Sequence, residues 1–217
     1  MRVALIIAAG LGLTACRNSP APVASRPSSD GPAAAPSPLD SSVTMTAPDS
    51  ASPDVAPIPA HLARFPGLSV RQGDKIVPAS EADVAVARGY ATSADKGAAV
   101  DGRRLTILTA RTRVKVGEPV RVIHVVETTR KGDELYVMGP KVVLGEHVDG
   151  TLRTDPAPAT ADPLDPTGVY DGAVVPAPAA DYNYDVTEYA FDAPGPHTIV
   201  WKLGPLASNT LTVEVTP

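Results

Sequence analysis

The chain has 217 residues and a formal net charge of −5, with 43% hydrophobic but only 4% aromatic side chains. A core must then come from Val, Ile, Leu and Ala, and 19 Lys and Arg against 24 Asp and Glu give no reason to expect a nucleic-acid binder, which concentrates cations for phosphates. One cysteine excludes an intramolecular disulfide and any cysteine-based zinc cluster.

Met1-Arg2 is followed by an apolar run from Val3 to Leu13 and then by Leu13-Thr14-Ala15-Cys16. The run is too short to span about 30 Å of hydrocarbon, so residues 1–15 are expected to be a cleaved export signal. The Leu-Thr-Ala-Cys string resembles the lipobox of bacterial lipoproteins, a likeness confined to the first sixteen residues. It implies cleavage before Cys16, acylation of that thiol, and a bilayer as the first partner. A thioether also accounts for a lone cysteine in an oxidising compartment, and more than one acyl chain is what stable anchoring requires. Arg17 follows where Asp retains such proteins at the inner membrane, so the resemblance implies an envelope location at the outer membrane.

Residues 16–60 are expected to carry the lipid and a disordered linker. The stretch is nearly all Pro, Ala, Ser and Thr, with Pro at 20, 22, 27, 32, 36, 38, 48, 53, 57 and 59 and no aromatic residue. Such composition buries too little apolar surface to offset about 1 to 2 kcal/mol of backbone ordering per residue.

Residues 61–217 form the expected folded domain, with a core over about 82–217. The segment Ala82 to Tyr90 carries two conflicting signals: Ser80-x-x-Asp83 caps a helix, whereas Val84, Val86 and Gly89-Tyr90 suit a strand, which is the reading adopted. Beyond it, alternating apolar runs punctuated by Gly, Pro and Asp predict an all-β antiparallel sandwich. Seven strands are expected: Arg104 to Ala110, Arg113 to Val116, Val120 to Glu127, Leu135 to Leu144, Thr187 to Asp192, His197 to Leu203 and Asn209 to Val215. In the last two, Ile199, Trp201 and Leu203, and Leu211, Val213 and Val215, share inward faces by the period of two.

Val116-Gly117-Glu118-Pro119-Val120 resembles the first tight turn of bacterial immunoglobulin-like sandwiches. Phe191-Asp192-Ala193-Pro194-Gly195-Pro196-His197-Thr198-Ile199, with Ser208-Asn209 and a terminal apolar strand, resembles their closing hairpin. The likeness spans about Arg104 to Val215, lacks the paired cysteines of antibody domains, and implies a fold but no activity.

No catalytic residue or cofactor is expected. The histidines at 61, 124, 147 and 197 lack metal-ligand spacing. His124 reads as a hydrogen-bonded core residue, Glu146-His147 with Asp149 as a loop, and His197 as solvent-facing. Ser208 lacks the Gly-x-Ser-x-Gly context of a nucleophile. Asp162-Pro163-Leu164-Asp165 and Tyr170-Asp171-Gly172 supply oxygen donors, but not at EF-hand spacing.

Charge is uneven. His61 to Lys131 holds 13 basic and 7 acidic side chains, while Glu146 to Asp192 holds 10 acidic and one basic. Arg111, Arg113 and Lys115 alternate along a strand and line one face, a strip for an anionic polymer or for the protein's own acidic loop. The second candidate is the loop from Asp149 to Asp185, long for a compact domain. It carries Tyr170, and near its end Tyr182 and Tyr184 have the parity opposite to Tyr189 and Phe191. A single straight strand would turn Tyr182 and Tyr184 outward, beside Asn183, where they would stack on a sugar or anchor a protein, whereas a bulge that resets the register would pack all four rings. The resulting expectation is a non-catalytic binding or scaffolding module, with polysaccharide binding as the alternative and an enzyme third.

Overall fold

A computed structural model describes residues 57–159, 162–166 and 169–217. The expected signal peptide, Cys16 and nearly all of the linker lie outside the described residues. Among the described residues no helix is long and apolar enough to cross a membrane.

The domain is an all-β sandwich. Its first sheet is built on the long strand β5 (Val120–Thr128), which pairs antiparallel with β3 (Arg103–Leu108) along one side. The other side of β5 is shared by two short strands, β10 (Ala179–Asp181) at one end and β11 (Thr187–Tyr189) at the other. The second sheet runs in the order β4 (Arg113–Lys115), β14 (Leu211–Thr216), β12 (Gly195–Leu203), β7 (Glu146–Val148) and β8 (Thr151–Leu152), with β13 (Leu206–Ala207) folded back on β12. Its edge strand β4 lies parallel to β14. Two ribbons complete the β structure, β1 (Ser69–Gln72) with β2 (Lys75–Pro78), and β6 (Glu134–Tyr136) with β9 (Val174–Pro176).

The alternation expected of the last two long strands is observed. Ile199, Trp201, Leu203, Leu211, Val213 and Val215 are all buried, and they meet Leu105, Ile107, Val122 and Val126 of the first sheet in one apolar cluster. Strand β5 is covered on its outer face as well. There Ile123 and Val125 pack with Leu62, Leu68, Ala87, Tyr90 and Tyr182 in a second cluster. Packed structure therefore begins well before residue 82, with the short helix α1 (Ala60–Ala63) and the β1–β2 ribbon.

The strand expected over Ala82 to Tyr90 is instead a helix, α2 (Glu81–Gly89). The capping signal outweighed the β-branched residues: the Ser80 hydroxyl accepts from the Asp83 amide at 3.1 Å and donates to the Asp83 carboxylate at 2.8 Å. Asp83 in turn accepts two bonds from the Arg121 guanidinium, at 2.9 and 3.0 Å, which fixes the helix to β5. Replacing Ser80 by Ala should lower stability by about 1 kcal/mol, the ordinary value of a helix cap, as a shift of the urea midpoint with an unchanged slope.

Three further expectations need correction. The run Leu135 to Leu144 is strand only over β6, because the chain then leaves the ribbon and makes an isolated bridge from Lys141 to Tyr184. Glu146, His147 and Asp149 are not in a loop but in a β7–β8 hairpin, turned by Asp149 and Gly150 with φ of 50° and 76°. The turn at Pro194-Gly195 does not close a hairpin. It carries the chain from β11 in one sheet to β12 in the other, with Gly195 at φ 128°, and the closing hairpin is β12 with β14. The turn at Gly117 has the positive φ, 75°, that its glycine permits.

Candidate functional site

Of the two alternatives for Tyr182 and Tyr184, a straight strand does not form and a reset of the register does. Pairing with β5 stops at Asp181 and resumes at Thr187. Between them, Lys141 donates its amide to the Asn183 carbonyl and accepts at its own carbonyl from the Asp185 amide. This insertion resets the side-chain parity, and both tyrosines are buried, at 3% and 8% exposure. Tyr182 packs edge-on against Phe65 and Tyr90 under the helices, and burial together with the nearby Glu127 charge pushes its hydroxyl up to about 12. Tyr184 stands edge-on to Trp201 at 5.0 Å, and burial holds its hydroxyl well above the usual phenol range. Neither ring presents a face for stacking on a sugar.

Arg113 and Lys115 are exposed on the same face of β4, as expected, with Val114 buried between them. Arg111 is already paired with Glu118, which also accepts from the Lys115 amide at 3.0 Å. The three cations thus form no continuous uncompensated row, and they border an edge strand, where charge prevents sheet-to-sheet pairing.

The histidines do not converge. His124 points into the sandwich, where its Nε2 meets Glu146 Oε1 across the sheets at 2.8 Å, and both side chains are fully buried. Burial alone would raise the Glu146 carboxyl, but hydrogen bonds from His124 and from the Tyr189 hydroxyl at 2.5 Å hold it below the ordinary range. His197 stacks on Phe191 and pairs through Nδ1 with Asp149 at 2.7 Å, which raises its affinity for a proton. His147 contacts only the Gly145 carbonyl, at 3.0 Å. Among the described residues no group of three or more His, Cys, Asp or Glu is placed to hold a metal ion. Of the long-loop acids that the sequence offered as oxygen donors, Asp162 is engaged in the same way. Asp162 pairs with Arg103 and accepts from the Leu164 amide at 3.0 Å, which pins the loop to β3 rather than presenting oxygens to calcium.

What the loop does build is a cleft. With its 162–166 limb held by Arg103 and its far limb held by Tyr170, it arches over the segment after β6. The Tyr170 hydroxyl accepts from the Met138 amide at 2.8 Å and donates to the Ala173 carbonyl at 2.9 Å, while its ring meets Tyr136 edge-on at 5.0 Å. The space enclosed is about 410 Å³. Trp201 and Tyr184 form its floor, and Met138, Val142, Leu164 and Val169 are among the apolar walls. Met138 and Val142 are 50% and 60% exposed, unusual for large apolar side chains on one short segment. The one cation in the lining, Lys141, is engaged: its ammonium donates to the Asp181 carboxylate and the Tyr136 carbonyl and lies 4.4 Å above the Tyr184 ring.

Of the residues singled out from the sequence, Tyr170 and Tyr184 reach this cleft, while Tyr182, Arg111, Arg113 and Lys115 do not line it. The parts that escaped notice are Trp201, read only as core, and the Met138 to Val142 segment, read as strand. The signal available was the cluster of apolar residues around Gly139-Pro140, a pair that breaks a strand and so turns Met138 and Val142 out of a regular buried face. No family profile, no curated protein and no solved structure matches this chain.

Proposed function

We propose that this chain is a lipid-anchored envelope protein, attached through acylated Cys16, whose β-sandwich is a non-catalytic binding module and whose binding site is the cleft beneath the acidic loop. The anchor rests on the Leu13-Thr14-Ala15-Cys16 motif, and Arg17 favours the outer membrane. The binding role is carried by one observation: an open cleft of about 410 Å³, within the range of ligand pockets, whose lining is mostly apolar and aromatic and whose lysine is satisfied by its own aspartate. Such a lining gains free energy by covering apolar surface and offers no activated group for chemistry. The partner is an envelope component captured at the end of the tether.

The anchor is tested by replacing Cys16 with Ser in producing cells fed labelled palmitate. The wild-type chain should carry the label and sediment with membranes, and the variant should carry none. Label retained by the variant would refute the anchor. The site is tested by Met138→Ser with Val142→Ser, two exposed positions whose change should leave the melting temperature within about 2 °C, since surface substitutions usually shift stability little, while abolishing capture of envelope partners.

A further inference from the structure

The cleft's charge state points to the chemistry of what fills it, and this step rests on its being the binding site. Two charged side chains contribute to the lining, Lys141 and Asp165. Lys141 is neutralised within the protein by the wholly buried Asp181, donates also to the Tyr136 carbonyl at 2.6 Å, and lies over the Tyr184 ring. Asp165 is exposed, and its carboxylate has no ion pair among the described residues. Asp171, next to the Tyr170 strut, is exposed as well. The uncompensated charge around the opening is therefore negative.

The shape of the apolar surface adds a second constraint. Val142 and Val169 of the lining are strongly exposed, and Val174 of β9, the register partner of the lining residue Tyr136, is 42% exposed beside it. Exposed apolar side chains on an open cleft and on the strand flanking it suit an extended chain, which covers several separate positions. Met138 contributes an unbranched side chain that adapts to differently shaped apolar groups. The anchored walls limit the ordering cost of binding, because the Asp162 and Tyr170 bonds already hold both limbs of the loop.

We propose that the cleft binds an extended peptide segment of a partner protein that alternates apolar side chains with lysine or arginine, the apolar groups entering over Trp201 and Tyr184 and a cation pairing with Asp165.

The test uses the full chain in zwitterionic nanodiscs, with empty discs as the baseline, and three fluorescein-labelled hexapeptides that alternate leucine and tryptophan with lysine, glutamine or glutamate. Anisotropy should rank lysine above glutamine above glutamate. Asp165→Asn should weaken the lysine peptide about five-fold, the value of one partly exposed ion pair, and leave the glutamine peptide unchanged. Met138→Ser with Val142→Ser should weaken the lysine and glutamine peptides by about ten-fold or more, as expected for lost apolar burial. Equal binding of the lysine and glutamine peptides, with Asp165→Asn silent, would overturn the cationic partner and leave the cleft as the binding site. Binding insensitive to the paired serine substitutions would overturn the cleft itself. Signal no greater than on empty discs would overturn the peptide and assign the affinity to lipid.

Discussion

Glu146→Ala should destabilise the domain by about 3 to 5 kcal/mol at pH 7, the loss expected when a buried, hydrogen-bonded carboxylate is removed and its buried partners are left unsatisfied. Glu146 is wholly enclosed between the sheets, where it receives His124 Nε2 and the Tyr189 hydroxyl. Without it His124 would keep a buried polar ring with no partner on either nitrogen, since its Nδ1 already has none. The double variant His124→Leu with Glu146→Leu should lose less than Glu146→Ala, since apolar groups of similar volume need no partner. Urea unfolding monitored by circular dichroism decides between them, and a double variant less stable than the single one would refute the account. The effect should also depend on pH. Because the folded-state affinity of Glu146 for protons lies below the ordinary carboxylate value, its contribution is complete above about pH 4.3 and fades as pH falls through the lower folded value. The gap between wild type and Glu146→Ala should narrow below about pH 4.

Trp201→Ala should cost about 3 to 5 kcal/mol, the range for deleting a buried aromatic. The ring is completely buried, stands edge-on to His124 and Tyr184 at 5.0 Å from each, and donates Nε1 to the Leu144 carbonyl at 2.8 Å. The substitution removes the packing between the polar pair and the cleft in one step and leaves the Leu144 carbonyl without its donor. Trp201 is the sole tryptophan, so unfolding must be followed by circular dichroism rather than indole fluorescence. A loss under about 1 kcal/mol would show that the surrounding side chains collapse into the space.

The long strands β12 and β14 were legible because each has one buried face and therefore one period. Leu211, Val213 and Val215 announce theirs without ambiguity, and His124 sits in a run apolar on both faces, as its double coverage by the second sheet and the helices requires. The short strands β7, β9 and β10 have three residues each, too few for a period to be visible. Parity failed at Tyr182 because it assumes an unbroken strand, and the interruption is imposed by Lys141, forty residues earlier in the chain. The cleft was illegible for the same reason: Tyr170, Trp201 and Met138 meet only through the loop's long-range anchors. At Ser80 the sequence held both answers, and a local hydrogen bond decided for the helix.

The polar knot at the start of the described chain bears on how the domain would respond to being pulled. His61, two residues into a helix of a single turn, meets Glu127 Oε1 at 2.7 Å, while the opposite oxygen takes the Tyr90 hydroxyl at 2.6 Å and Arg104 at 3.3 Å. A load applied through Pro57 reaches this knot before it reaches either sheet. A single turn with little pairing of its own is expected to detach before the paired strands do, uncovering Leu62 and Tyr182. If the chain is moored by Cys16, that arrangement is a mechanical fuse: a sharp tug spends itself on one removable turn and spares the sandwich.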